Sequence, residues 1–290
     1  NKSFNQTILK EIEDIANSTL AEHGGLMSEE NLIDELLAIP GSSEENKSAI
    51  KFILNQLLSH RFSFAKETKH SNGFWKTPEA NVDLFNDTID NIRSLIDGHG
   101  DTLNLDELIE KIQETEFYDN NNDLTDRVVI NFINVTKKLK SNPYEEWGLV
   151  EWASITPRRM NDKIYLVLQK KGKPMHFTNI ADIINQMAFD HRKAYPATIH
   201  NELILDKKYV LVGRGIYALK EWGYKPGVVA DVIADILNDS DKPLTKKEIT
   251  EAVFEKRMIK ETTITLALMN KDKFVRDEKG RYSLKTDKTE

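Results

Sequence analysis

Lys208-Tyr209-Val210-Leu211-Val212-Gly213-Arg214-Gly215-Ile216-Tyr217-Ala218-Leu219 reads as two strands around a glycine-bounded turn. The flanking runs are rich in β-branched and aromatic residues, and Gly-Arg-Gly supplies backbone that can reverse the chain tightly. Further on, Lys273-Phe274-Val275 and Arg281-Tyr282-Ser283-Leu284 flank Asp277-Glu278-Lys279-Gly280 in the same manner. Gly215 and Gly280 are 65 residues apart, and so are Tyr217 and Tyr282. A common offset at a turn glycine and at a strand aromatic marks a repeat, and repeats decide how the rest of a chain is read.

Working outward from these hairpins, each is preceded by three helical patterns. Before the first come Asp162 to Leu168, closed by Lys171-Gly172 with Pro174 beyond, then Thr178 to Met187, then Pro196 to Leu205, where Pro196 suits a first helical turn. Before the second come Val228 to Leu237, then a helix opened by Thr245 and Glu248 in capping-box register, then Glu261 to Asn270. The front half follows the same grammar more loosely. Thr7 to His23, Ser28 to Ile39 and Glu45 to Leu58 precede strands at Phe62-Ser63-Phe64-Ala65 and Phe74-Trp75-Lys76. Leu84 to Ile96, Leu105 to Ile112 and Leu124 to Leu139 precede Trp147-Gly148-Leu149-Val150-Glu151-Trp152. Pro and Gly place boundaries at Thr77–Val82, Ala153–Pro157 and Gly223–Gly227.

Three helices followed by a two-stranded wing define the winged helix-turn-helix. The expected fold is therefore mainly α with small β wings (α+β), a tandem array of winged helix-turn-helix modules over residues 3–78, 83–152, 158–224 and 226–286. Trp75, Trp147, Tyr217 and Tyr282, the recurring wing aromatics, are expected to close the module cores rather than to stack on bases.

The whole chain of 290 residues carries a formal charge of −7, which taken alone argues against nucleic acid. That figure is an average. Residues 1–155 hold 14 Lys+Arg against 28 Asp+Glu, residues 156–224 hold 12 against 6, and residues 225–290 hold 14 against 13. An acidic front therefore precedes a basic rear, an asymmetry expected of a protein that meets nucleic acid on one side. Cysteine is absent, which removes disulfide scaffolds, thiol nucleophiles and cysteine metal sites. No run approaches the roughly 18 apolar residues of a membrane helix, and no basic-then-apolar signal segment opens the chain, so a cytoplasmic protein without membrane contact is expected. An opening Asn1 in place of Met leads us to expect sequence upstream.

One stretch resembles a known family. Gly172-Lys173-Pro174-Met175-His176-Phe177-Thr178-Asn179-Ile180-Ala181, then Thr198-Ile199-His200-Asn201-Glu202-Leu203, then the run Tyr209 to Leu219 are similar to the HARE-type winged-helix domain, at about residues 158–222. That family occurs in the delta subunit of bacterial RNA polymerase, in Asx-like Polycomb proteins and in some restriction endonucleases. Trp147-Gly148-Leu149 leading to Pro157 is more loosely similar to bacterial sigma-factor-like proteins that carry it. The resemblance implies a transcriptional or chromosomal setting and DNA binding. Two features depart from it: the acidic part of this chain precedes the domain instead of trailing it, and no sigma region is present.

A third helix in this fold can enter a major groove while the wing approaches phosphate or the minor groove. The residues expected to meet DNA are thus Arg192, Lys193, Thr198, His200, Asn201, Lys207, Lys208 and Arg214 in the third module, and Lys256, Arg257, Lys260, Thr262, Thr263, Lys279 and Arg281 in the fourth. Asn201 and His200 alone offer base readout, so weak sequence specificity is expected. The front modules carry Glu44, Glu45, Asp123 and Asp126 at their third helices, which would repel phosphate, and RNA polymerase or another transcription protein is the expected partner there.

No catalytic constellation is present. Gly213-Arg214-Gly215-Ile216-Tyr217-Ala218 fits a dinucleotide fingerprint in letters, but no helix follows it. Asp119, Asn121 and Asp123 open like a calcium loop, which Leu124 and Ile130 then break. Glu45-Asn46-Lys47 has nuclease-like spacing in a helical context. A non-enzymatic protein without cofactor or metal is expected, linking duplex DNA to a protein partner. A purely protein-binding adaptor of RNA polymerase, or the targeting fragment of a larger sigma-like protein or nuclease, is the alternative.

Overall fold

The computed structural model describes residues 6–38, 46–224, 229–257 and 259–285. Glu44 and Glu45 lie outside them, as does most of the Gly223–Gly227 boundary. Within them the chain is mainly α-helical with small antiparallel sheets, and it divides into two compact units, Asn1–Thr156 and Pro157–Glu290. The division falls where the charge changes sign, at the expected Ala153–Pro157 boundary. No described helix is long and apolar enough to cross a membrane.

Unit 1 begins with α1 (Gln6–Glu22), β1 (Leu26–Ser28), α2 (Glu29–Leu37) and α3 (Lys47–Phe52), which runs on as a π turn, Ile53–Leu57. The hairpin of β2 (Ser63–Ala65) and β3 (Phe74–Lys76) follows. Then come α4 (Val82–His99), α5 (Leu105–Gln113), a single turn α6 (Glu116–Asp119), α7 (Asp126–Val135), and the hairpin of β4 (Leu139–Ser141) and β5 (Trp147–Leu149). Helix starts follow from their capping residues. Ser28 accepts from Asn31 N–H, Asn81 accepts from Leu84 N–H, and Asn104 and Glu107 form a reciprocal box.

The first sheet has the order β1-β3-β2, and the alternation of a strand sends neighbouring residues to opposite sides. Met27 and Trp75 enter the core built on α1, α2 and the π turn, with Leu32, Leu36 and Leu54. Leu26 and Phe74, their neighbours in sequence, enter the second core, with Phe85, Val128 and Phe132. The sheet is thus a shared wall between two cores, which makes unit 1 one body. Asn131 bolts the wall to α7: its Nδ2 donates to the carbonyls of His23 at 2.8 Å and Leu26 at 2.6 Å.

Unit 2 repeats the order with α8 (Met160–Lys171), β6 (Met175–His176), α9 (Phe177–Met187), α10 (Pro196–Leu205), β7 (Tyr209–Gly213) and β8 (Ile216–Leu219). After α11 (Val229–Asn238) come β9 (Leu244–Thr245), α12 (Lys246–Lys256), α13 (Glu261–Leu268), β10 (Phe274–Arg276) and β11 (Arg281–Leu284). Here too the first sheet, β6-β8-β7, has two buried faces: Tyr209, Tyr217 and Leu219 join the core of α8 to α10, and Val210, Val212 and Ala218 pack with Trp222 and Tyr224. A separate core joins α11, α12 and α13 to Phe274. The expected capping box at Thr245 and Glu248 is present.

Two sequence expectations need correction. The helix read as Leu124 to Leu139 ends at Val135, because Thr136 turns extended (ψ 152°) and Leu139 begins a strand. Short strands also precede three of the second helices: β1, β6 and β9 each add to the following hairpin. In the second stretch a single bridge between Leu103 and Trp147 occupies that place.

Candidate nucleic-acid interface

The candidate surface that the sequence singled out is the outer side of α10 with the turn between β7 and β8. Ile199 and Leu203 anchor α10 in the core, which turns Thr198 and Asn201 to solvent. The loop entering α10 is held at two points. Asn185 pairs twice with the Ala194 backbone, at 2.9 Å and 2.7 Å. Lys163, only 1% exposed, donates to Asp190 at 2.6 Å, and Asp190 also accepts from Arg192 N–H at 2.9 Å. The hydrogen bond from Lys163 is the main reason that the Asp190 carboxyl is held below its ordinary value. This buried pair was not anticipated, although Lys163 stands at core spacing beside Ile164 and Val167, which signals an interior ammonium.

Five of the expected contact residues around α10 face solvent without a carboxylate partner among the described residues: Lys193, Thr198, Asn201, Lys207 and Arg214. Lys193 lies over the Tyr195 ring, 5.7 Å from its centre. Arg214 sits at the tip of the turn, and the turn is stapled underneath, where Phe177 N–H donates to the Gly215 carbonyl at 3.0 Å. A chain of rings, His176 to Phe177 at 4.5 Å, Phe177 to His200 at 4.7 Å and His200 to Tyr217 at 5.9 Å, links the turn to α10. Arg214 and Asn201 are consequently presented by one packed support.

Three further residues are placed differently from the expectation. His200 is half-buried in that ring chain, so its imidazole serves packing, and of the two residues expected to offer base readout only Asn201 is exposed. Arg192 turns its guanidinium to the Arg158 carbonyl at 3.2 Å. Lys208 donates to Asn161 Oδ1 at 2.9 Å and lies 3.5 Å from Asp206, close to the Tyr165 ring.

In the last stretch Lys260, Thr262, Thr263 and Lys279 are exposed and Lys256 is half-buried. Arg257 requires correction: it is 6% exposed, and its guanidinium donates to the Leu211 carbonyl of β7. Burial lowers the pKa of that guanidinium, and the side chain ties the end of α12 to β7 instead of standing free for a phosphate. Arg281 donates from Nε to Asp277 at 2.8 Å across its own turn. The dinucleotide reading of Gly213 to Ala218 also closes, since those residues form an antiparallel hairpin.

Large exposed apolar side chains were missed altogether. Ile204 and Leu205 end α10, with Leu205 81% exposed, and Leu266 and Met269 occupy the matching face at α13. Ile204 and Met269 share the 65-residue offset, a signal available in the sequence. The front wing aromatics divide: Trp75 is buried, while Trp147 is half-buried against the second core.

Comparison with protein-family models and with curated proteins returns no match for this chain.

Proposed function

We propose that the chain is a non-enzymatic, transcription- or chromosome-associated protein made of four winged-helix modules fused in two pairs. Three helices, a hairpin, and a short strand joining that hairpin ahead of the second helix support the module assignment in both units. In this reading unit 2 binds duplex DNA and unit 1, net acidic, holds a protein partner such as RNA polymerase. The observation that carries it is the group Lys193, Lys207 and Arg214, exposed around the polar face of α10 and without a carboxylate partner among the described residues.

These cations neutralise phosphate, and Asn201 can pair with an adenine edge. One reading amide confers little discrimination, so duplex sequence changes affinity weakly. Fluorescence anisotropy of the full chain with a labelled duplex, across a salt series, tests this. The slope of log affinity against log salt should fall in magnitude by about 0.9 for each of Lys193→Ala, Lys207→Ala and Arg214→Ala. Undetectable binding at low salt sinks the DNA role.

The exposed Ile204, Leu205, Leu266 and Met269 favour a second reading, a purely protein-binding adaptor, because apolar groups suit a protein surface better than a phosphate-lined groove. A pull-down of RNA polymerase by fragments 1–156 and 157–290 separates the two. Retention by 1–156 alone fits the first reading, and retention by 157–290 without duplex binding fits the second.

A further inference from the structure

Within unit 1, three hollows run into one another along the line where α2 and the β2–β3 hairpin face α7. Asn31 and Asn134 belong to both the first and the second, and Asn72 and Asn134 to both the second and the third. The result is one open groove lined by side-chain amides. Asn131 stands in its wall with both Nδ2 protons used, while its Oδ1, in a residue 3% exposed, has no hydrogen-bond partner. Asn72 spends Nδ2 on the Asn134 carbonyl at 3.2 Å. Among the described residues, the amides of Asn31 and Asn134 make no side-chain hydrogen bond.

We propose that this groove binds an extended, Lys- or Arg-bearing peptide segment of a protein partner. The proposal deepens the partner-binding reading of unit 1 and rests on it. A carboxamide carries a donor and an acceptor side by side, matching the C=O and N–H of a peptide unit, so a row of them grips main chain whatever its side chains. The charge at the rim selects among such segments. Glu35 lines the α2 end with no ion-pair partner among the described residues, and Asp34 meets Lys47 only at 3.6 Å with both side chains well exposed. A cationic side chain laid against α2 would be drawn to both. Arg127 shares the first hollow but pairs with Glu22, Lys66 lines the second beside Glu29 and Glu30, and the third ends at Lys137, Lys140 and the half-buried Trp147, so the basic residue of the segment belongs at the α2 end. Duplex DNA is disfavoured there, because residues 1–155 carry a net −14.

The test uses the full chain, immobilised and offered a display library of short random peptides. Selected peptides should carry Lys or Arg and bind in solution, read by anisotropy of a labelled copy. Asn31→Ala combined with Asn134→Ala should weaken that binding about tenfold, the order expected for two hydrogen bonds. Glu35→Gln should weaken it by a smaller factor at low salt only, and Arg214→Ala should leave it unchanged. Neither amide has a side-chain hydrogen-bond partner among the described residues, so the variants should keep the wild-type circular dichroism and melting. Equal binding by wild type and the double variant would overturn the groove while leaving unit 1 as a partner surface. Selection of acidic peptides, or of none, would also overturn it. Whether residues 1–156 retain a partner is then read independently from the pull-down.

Discussion

Gly215 shows how one residue sets the turn between β7 and β8. Its φ of +69° belongs to the left-handed region, and a Cβ built there would lie 2.5 Å from His176 Nε2. That imidazole cannot move aside, because its Nδ1 caps α9 through Thr178 N–H and its ring stacks on Phe177. Gly215→Ala should therefore cost about 2 kcal/mol or more, combining backbone strain with the clash. Gly172→Ala is the control, since φ is +61° but nothing lies within 4 Å, and about 1 kcal/mol is expected from the backbone alone. Urea titration of the two variants checks the difference. The Lys163–Asp190 pair gives a second contrast. Asp190→Ala strands a buried ammonium and should cost about 2 kcal/mol, discounted because Asp190 is partly exposed, whereas Lys163→Met fills the space with apolar volume and should cost under about 1 kcal/mol.

At the scale of elements, the shared sheet of unit 1 makes a distinctive prediction. Leu26 belongs to the second core although it precedes α2, and Leu26→Ala should cost about 3 kcal/mol, a usual figure for a buried leucine. Amide hydrogen exchange should speed up in α4 and α7 as well as in α1 and α2; acceleration confined to the first helices would contradict the shared wall. How much of this was legible depended on range. α10 and β8 match their sequence reading at both ends, because Pro196, the glycines of the turn and strand alternation are local signals. Strands β1, β6 and β9 are too short for any periodicity to register. The overrun of α7 reflects apolar spacing that continues through Leu139 after the backbone has turned extended. The roles of Asn131 and Arg257 were not legible at all. Their partners, the carbonyls of Leu26 and Leu211, lie 105 and 46 residues away, and both side chains are polar types normally read as surface.

For the molecule as a whole, charge is the organising quantity, and it acts on stability as well as on partners. In unit 2, Asp190, Asp206, Glu248 and Asp277 all titrate below their ordinary range. Asp190 does so chiefly through the Lys163 hydrogen bond, and the others through backbone N–H donors at Lys208, Thr245 and Arg281. A carboxyl with a depressed folded pKa binds fewer protons folded than unfolded. Its stabilisation is complete above the unfolded value of about 4 and is lost as pH falls through the folded one. Melting temperature followed by circular dichroism should thus be flat with respect to these groups near neutrality and should drop below about pH 4, less steeply in Asp190→Ala. The same distribution of charge underlies the central claim, that a net acidic chain binds duplex DNA through its second unit. The most direct measurement is the affinity of the full chain for a DNA duplex at two salt concentrations, beside the Lys193→Ala, Lys207→Ala, Arg214→Ala triple variant. The account predicts binding that weakens steeply with salt and a triple variant with a much shallower dependence. Binding absent at low salt, or a salt dependence that the triple variant leaves unchanged, would contradict it.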